Sequence, residues 1–547
     1  MASPAGRRNL GAFRRRRAAL RPASAGHGSA FMLPWTRFSS AALLLFSAPV
    51  AVALSLGAEP AFFADGECPI AETRSRLSEM WQQGLADGAD WASKMGALLA
   101  QGDEQLWALC CRLGWYDPGS RSKQGGPVAA LCWPAGASTD YATYARCCYK
   151  GLRHVVAAPA PDWMLLEIDS DLEPWRTQRV SRADLDRMQE EWGHVFCRFR
   201  VLRGGLVDTC DPASIENIGR GIGGERHQQH EAFARVARTL AAVGLLPEGL
   251  EFFVSPQIYD FAKTPAPFFT KARPAFAQGP VRVPTFELLS GFLDTHRATL
   301  HSVRWHEKVP KLYWRGGLRS FNACPCPATE LHWPPVWQDF NLSRLLADRH
   351  LVPGTCADFP PSFCERLAAR PPRCRCHRHR LNRTTFKLSN RVRLCELSRR
   401  FPNLIDAKLS YTPYQTVAEE CRSRGYLAEF SKAADHSHFR YVMSTDGSTI
   451  DDTRFYWLLS TGSLMFKQIT PLLPFGVPGL RPWEHFIPVR EDFADLPSKI
   501  RWARLHDGKC QEMARRAKSF AETFFTEEQI LRYVHLALMR YAELLDA

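Results

Sequence analysis

FRYVMSTDGSTIDDTRFYWLLSTGSLMFKQ, residues 439–468, sets two short apolar runs on either side of a helical pattern. Phe439 to Ser444 has the length and the aromatic and β-branched content of a buried strand, and Asp446-Gly447 marks a turn. Thr453 to Ser460 reads as a helix, Gly462 as its C-terminal stop, and Ser463 to Lys467 as a second strand. Strand, helix and strand in alternation predict a layered α/β architecture built on a parallel sheet.

The same alternation extends outward. On the C-terminal side a strand is expected over Phe486–Val489 and a helix over Leu496–Leu505. A last helix begins at Thr526-x-x-Gln529, a capping-box pattern, and its apolar face is Ile530, Tyr533, Val534, Ala537, Tyr541 and Leu544. On the N-terminal side the readings are a strand at Leu165–Ile168, a Ser-x-x-Asp helix over Ser181–Trp192, a helix over His230–Leu245 and a strand over Leu250–Val254. Phe321 to Asn390 interrupts this order with six cysteines (Cys324, Cys326, Cys356, Cys364, Cys374, Cys376) beside His377 and His379. The one-residue spacing around Cys374 and the basic neighbours suit zinc poorly, so a disulfide-tied insertion at 321–390 is expected.

Charge and hydropathy are uneven along the 547 residues. Eight arginines precede the first acidic residue, Glu59, and setting them aside leaves +6 of the formal +14. The net charge is thus no argument for a nucleic-acid partner. It marks a basic tail, 1–40, in front of an uncharged apolar run, 41–58. That run has the length of a signal-anchor helix, with Ala51-Val52-Ala53 resembling a cleavage site. Arginines on one side only put the tail in the cytosol and the remainder in the lumen of the secretory pathway, as a type II membrane protein or, after cleavage, a secreted one. Seventeen cysteines fit that oxidising compartment, and residues 65–155, with Cys110-Cys111, Cys132 and Cys147-Cys148, read as a small disulfide-tied module.

Two loops sit where an open parallel sheet binds ligands, at strand carboxyl ends. Lys311 to Gly317 is a strand running into Arg315-Gly316-Gly317, a fixed guanidinium beside glycines that let backbone amides approach a phosphate. Asp446-Gly447 leads into the helix carrying Arg454, where a helix N-terminus adds to the positive field.

The flanking blocks make the pair specific. KVPKLYWRGG (308–317), HFRYVMSTDG (438–447), TRFYWLLSTGSLMFKQ (453–468), LRPWEHFIPVRED (480–492) and KIRWARLHD (499–507), with the earlier IDSDLEPWR (168–176), resemble the successive blocks of glycosyltransferase family 90. This is the group of Rumi-like protein O-glucosyltransferases and fungal capsule-associated xylosyltransferases. The resemblance implies a GT-B-like fold, two Rossmann-like domains facing a cleft, with a UDP-sugar donor and no metal or other cofactor. It implies a N-terminal acceptor lobe at 156–300, a nucleotide-sugar lobe at 301–510 and C-terminal helices over 511–547. Arg315, Gly316, Asp446, Gly447 and Arg454 match its donor-site positions, and Ser320 matches a hydroxyl position near the first loop.

The family's general base is an aspartate after a strand like Leu250–Val254, and Asp260 is the next acid there, with no other carboxylate before Glu287. The expected activity is inverting transfer of glucose or xylose to a hydroxyl on a glycoprotein or glycan. The alternative from the same residues is a lumenal carbohydrate- or protein-binding relative that kept the fold and lost catalysis. Asp260 arrives one or two residues late, and Gly317-Leu318-Arg319 replaces the usual Ser-Arg-Thr.

Overall fold

The computed structural model describes residues 141–318 and 386–546, apart from short stretches of which 210–224 and 256–263 are the longest. It also describes 321–323, 377–379 and a few positions between 74 and 111. The tail 1–40, the apolar run 41–58, Ser320, Asp260 and the cysteines of the insertion lie outside the described residues.

Helices α1 (Tyr141–Cys148), α2 (Leu152–Ala157), α3 (Asp162–Leu172) and α4 (Arg182–Trp192) precede β1 (Cys197–Leu202) and β2 (Gly205–Asp208). Then come α5 (Glu225–Ala242), β3 (Glu251–Val254), β4 (Phe268–Thr270), β5 (Ala272–Pro274), β6 (Pro280–Arg282), α6 (Phe286–Leu289) and α7 (Phe292–Thr299). The second half opens with β7 (Val309–Gly317) and an antiparallel ribbon of β8 (Phe321–Ala323) and β9 (His377–His379). It continues through α8 (Asn390–Arg400), β10 (Ile405–Tyr411), α9 (Gln415–Ser423), α10 (Ala433–His436), β11 (Phe439–Ser444), α11 (Asp452–Ser460), β12 (Leu464–Gln468) and β13 (Leu472–Pro474). It ends with β14 (Phe486–Val489), α12 (Leu496–Leu505), α13 (Asp507–Phe524) and α14 (Glu527–Ala542).

The second sheet is wholly parallel, in the order β10-β7-β11-β12-β14. Counted along the chain this is 2-1-3-4-5, a doubly wound order whose switch point lies between β7 and β11. Helices cover both faces, so β12 and β14 are buried at every residue, Lys467 and Gln468 at the end of β12 included. Gly462, at φ +64, ends α11 in the left-handed region that only glycine enters cheaply.

The first sheet, β2-β1-β3-β4-β6, departs from the Rossmann-like lobe expected there. β1 is antiparallel to both β2 and β3, and only β3, β4 and β6 run parallel. The expected strand at Leu165–Ile168 is instead part of α3. Its buried positions are Trp163, Met164, Glu167, Ile168, Asp171 and Leu172, a helical spacing. The two carboxylates hid that spacing, because a pattern reading counts them as solvent-facing. The helix over 182–192 forms as expected: the Ser181 hydroxyl accepts from the Asp184 N–H (3.2 Å) and the Asp184 carboxylate accepts from the Ser181 N–H (3.0 Å).

One core joins the halves. Val442 and Met465 on one face of the second sheet pack with α11, α14 and the β1, β3 and α5 residues of the first half. β13 pairs antiparallel with β5, and the Tyr533 hydroxyl of α14 donates to the Arg282 carbonyl (3.1 Å), so the chain end returns to the first half. A second core lies on the other face of the second sheet, under α8 and α12. In the N-terminal module Cys111 and Cys148 form a disulfide and Cys147 is disulfide-bonded; Cys197 of β1 is likewise in the disulfide form. Cys395, Cys421 and Cys510 are buried thiols. Among the described residues no helix is long and apolar enough to cross a membrane, and no His, Cys, Asp and Glu cluster is arranged to hold a metal ion.

Candidate functional site

β7 and β11 pair only as far as Tyr313 and Val442. Beyond that register their carboxyl ends separate, and the crevice between them holds Arg315-Gly316-Gly317 on one side and Thr445-Asp446-Gly447 on the other. Strand alternation puts Trp314 in the core below, while Tyr313 and Arg315 face the opposite side of the sheet.

Arg315 folds back over the Tyr313 ring, 4.4 Å from guanidinium carbon to centroid. Its Nη1 donates to the Asp406 carboxylate (2.8 Å) and to the carbonyls of Trp314 and Asp406 (2.9 and 3.0 Å). Arg454, in the first turn of α11, lies over Trp314 and donates to Asp451 (3.3 Å). Its buried Nε–H has no hydrogen-bond partner. The two guanidinium groups flank His436. Its imidazole is pushed down to about 3 by burial and then by the charges of Arg454 and Arg315. His436 is therefore neutral; Nδ1 lies 3.1 Å from the Lys432 carbonyl, which makes it the donor, and Nε2 is a buried acceptor without a partner. Tyr313 and Trp457 meet the imidazole edge to face, each 4.9 Å away.

The glycines have a packing role in the structure. A Cβ on Gly316 would sit 2.5 Å from the Trp314 ring and 3.1 Å from Arg454 Nη1, and one on Gly447 would sit 2.8 Å from Arg391 Nη2. Both positions are kept bare by neighbouring side chains. Asp446 also turns inward: its carboxylate accepts from the Asp451 N–H (3.0 Å) and the Thr470 hydroxyl, with Lys467 at 4.0 Å. Burial raises its pKa. It shapes the loop rather than facing the crevice.

Arg391, Asp451, His436 and Gln468 were not singled out from the sequence. Arg391 is one arginine among several at the start of α8, and only its fold-mate loops distinguish it. The Gln468 side chain accepts from Thr445 (2.7 Å) and the Asp446 N–H (3.1 Å), fixing the turn from β12. On this wall four cations (Arg315, Arg391, Arg454, Lys467) meet three carboxylates (Asp406, Asp446, Asp451), beside the N-terminus of α11. The N-terminus of α11 and the unmet Arg454 Nε–H are the features that suit an anion. From the first half, Glu287 on α6 accepts a hydrogen bond from the Thr453 hydroxyl next to Arg454.

The model of Glycosyl transferase family 90 matches residues 382–547. Protein O-glucosyltransferase 3 of Homo sapiens is 27% identical over 154 residues, 28% of this chain and 29% of that protein. Protein O-glucosyltransferase 2 of Danio rerio is 30% identical over 154 residues, 28% of this chain and 30% of that protein. Protein O-glucosyltransferase 1 of Homo sapiens is 30% identical over 151 residues, 27% of this chain and 38% of that protein. The chain thus spans about three to four tenths of the length of these relatives. The family match includes Arg391, Asp446, Gly447 and Arg454, whereas Asp260, Arg315, Gly316 and Ser320 precede it. The similarity to glycosyl transferase family 90 lies in residues 382–547, the C-terminal part of the chain.

Proposed function

We propose that the protein is a UDP-sugar-dependent glycosyltransferase that moves glucose or xylose onto a hydroxyl of a glycoprotein or glycan in the secretory pathway. The observation that carries this reading is the crevice at the β7–β11 switch point, with Arg454 at the N-terminus of α11 on one side and the Arg315-Gly316-Gly317 strand end on the other. The similarity to protein O-glucosyltransferases supports the reaction class.

As the anomeric bond breaks, negative charge grows on the departing diphosphate. Preorganised guanidinium groups stabilise it without reorganising, most strongly where water is excluded. Arg454 presents an unmet Nε–H and sits at a helix N-terminus, both suited to phosphate oxygens. In this scheme the arginines carry the stabilisation and no metal is required. The acceptor hydroxyl is too weak an acid to attack unaided, so a carboxylate takes its proton as the new bond forms. Asp260 is assigned that role. Attack from the face opposite the leaving group inverts the anomeric carbon. The GT-B-like pair of lobes, the lumenal placement and the anchor at 41–58 complete the proposal.

The test is UDP release by the full chain from UDP-glucose and from UDP-xylose, with and without Asp260→Asn. At least a hundredfold loss in the variant is expected for removal of a general base. Equal background release from both proteins overturns the enzymatic reading. UDP binding without release would identify the non-catalytic relative instead.

A further inference from the structure

We propose that Arg391 is the positioning residue of this site, holding apart and fixing the two strand ends between which the donor lies. The proposal rests on the nucleotide-sugar reading of the crevice. Arg391 is the second residue of α8, whose first turn contains no acid. A cation there opposes the helix dipole, so the position is held by other interactions.

Those interactions span the switch point. Nη1 donates to the Gly317 carbonyl at the end of β7 (2.7 Å). Nη2 donates to Thr445 (3.1 Å) and Nε to Asp446 (3.2 Å), both just past β11. The ladder between these strands has already ended at Tyr313 and Val442, so one guanidinium replaces the backbone pairing that the crevice removes. Its Nη2 also lies 3.8 Å from Asp451, the carboxylate that receives Arg454 at 3.3 Å, and its plane sits over Trp314. The Gly447 backbone closes against it. Three nitrogens of one planar group reach three carbonyls of two strands, which a lysine ammonium cannot reproduce. Arg391 is buried to 13% exposure and each of its three nitrogens already donates to a carbonyl, so it orients Arg454 and the 445–447 turn without touching donor itself.

The test compares the full-length wild type with Arg391→Lys, and with Arg399→Ala, an exposed change at the far end of the same helix, as control. Calorimetric titration with UDP should show about 10- to 100-fold weaker binding for Arg391→Lys and none for the control. Hydrogen exchange over residues 444–452 should accelerate in Arg391→Lys while 309–313 and 464–468 stay protected. Arg391→Ala should regain UDP affinity on adding millimolar guanidinium ion, a rescue that general destabilisation does not give. Unchanged exchange at 444–452, or wild-type UDP affinity in Arg391→Lys, overturns the proposal. If the wild type binds no UDP, the nucleotide reading fails, and the exchange result alone decides whether Arg391 holds the strand ends.

Discussion

Two arginine–carboxylate clusters in this molecule contain similar residues and end in opposite states. In the first half Asp171 of α3 accepts from Arg282 at its backbone N–H (2.8 Å), Nε (2.9 Å) and Nη2 (2.8 Å), and from Arg273 Nη1 (2.7 Å). Glu167, one helical turn away, accepts from the Gly476 N–H (2.9 Å). The carboxylates are fully buried and the arginines nearly so. Burial pushes the Asp171 carboxyl up, and the charges of Arg282 and Arg273 more than reverse it. At the β7–β11 crevice the guanidinium groups of Arg315 and Arg454 keep 13% and 20% exposure, whereas each cluster leaves one arginine nitrogen without a partner, Arg282 Nη1 in the first and Arg454 Nε in the second. Charges shut off from solvent tie α3, β5, β6 and the 476 turn into one core. Charges left partly exposed can still meet a ligand.

That contrast can be broken at its sealed end first. Asp171→Asn leaves two buried arginines without their counter-charge, and should cost about 3–5 kcal/mol of stability. A urea midpoint that hardly moves would show that the cluster is not sealed as described. UDP affinity of the remaining folded protein should change little.

At the open end the effects reverse. Arg454→Gln should weaken UDP binding about tenfold or more while changing stability by under about 1 kcal/mol, because its present partner is one carboxylate at 3.3 Å. Calorimetry and thermal melting on the same sample separate the two quantities. A large loss of melting temperature with intact binding would make Arg454 part of the scaffold.

The sealed cluster also predicts a pH effect. Burial pushes Glu167 up to about 8 against the pull of Arg282. Between its unfolded value of about 4.5 and 8 the folded chain holds the extra proton. Stability from this group is therefore full at acid pH, falls as pH rises from about 5 to 8, and is flat above. The slope should be about 1.4 kcal/mol per pH unit at most, and Glu167→Gln should remove it. Denaturant midpoints at pH 5, 6.5 and 8 for both proteins test the difference.

The elements around the second sheet were legible because buried parallel strands and their helices carry signals within a dozen residues. FRYVMS and the Gly462 stop each fall within a residue of their observed place. α3 was not, because Glu167 and Asp171 look solvent-facing until their arginine partners, a hundred residues away, are known. The site divides in the same way. Arg454 and Asp446, which lie beside the crevice, were singled out by their neighbours in the chain. Arg391 and His436 were missed, since their partners are carbonyls and rings from other strands.

The sequence by itself determined the α/β alternation, the caps at Ser181 and Thr526, and the arginine that opens α11, all set by contacts between residues close in the chain. Only the tertiary structure decided the strand order, and with it the switch-point crevice, because order is fixed by which faces bury one another. It also decided which arginines are sealed in pairs and which remain available, since a charge's partners and its exposure are properties of the packed molecule.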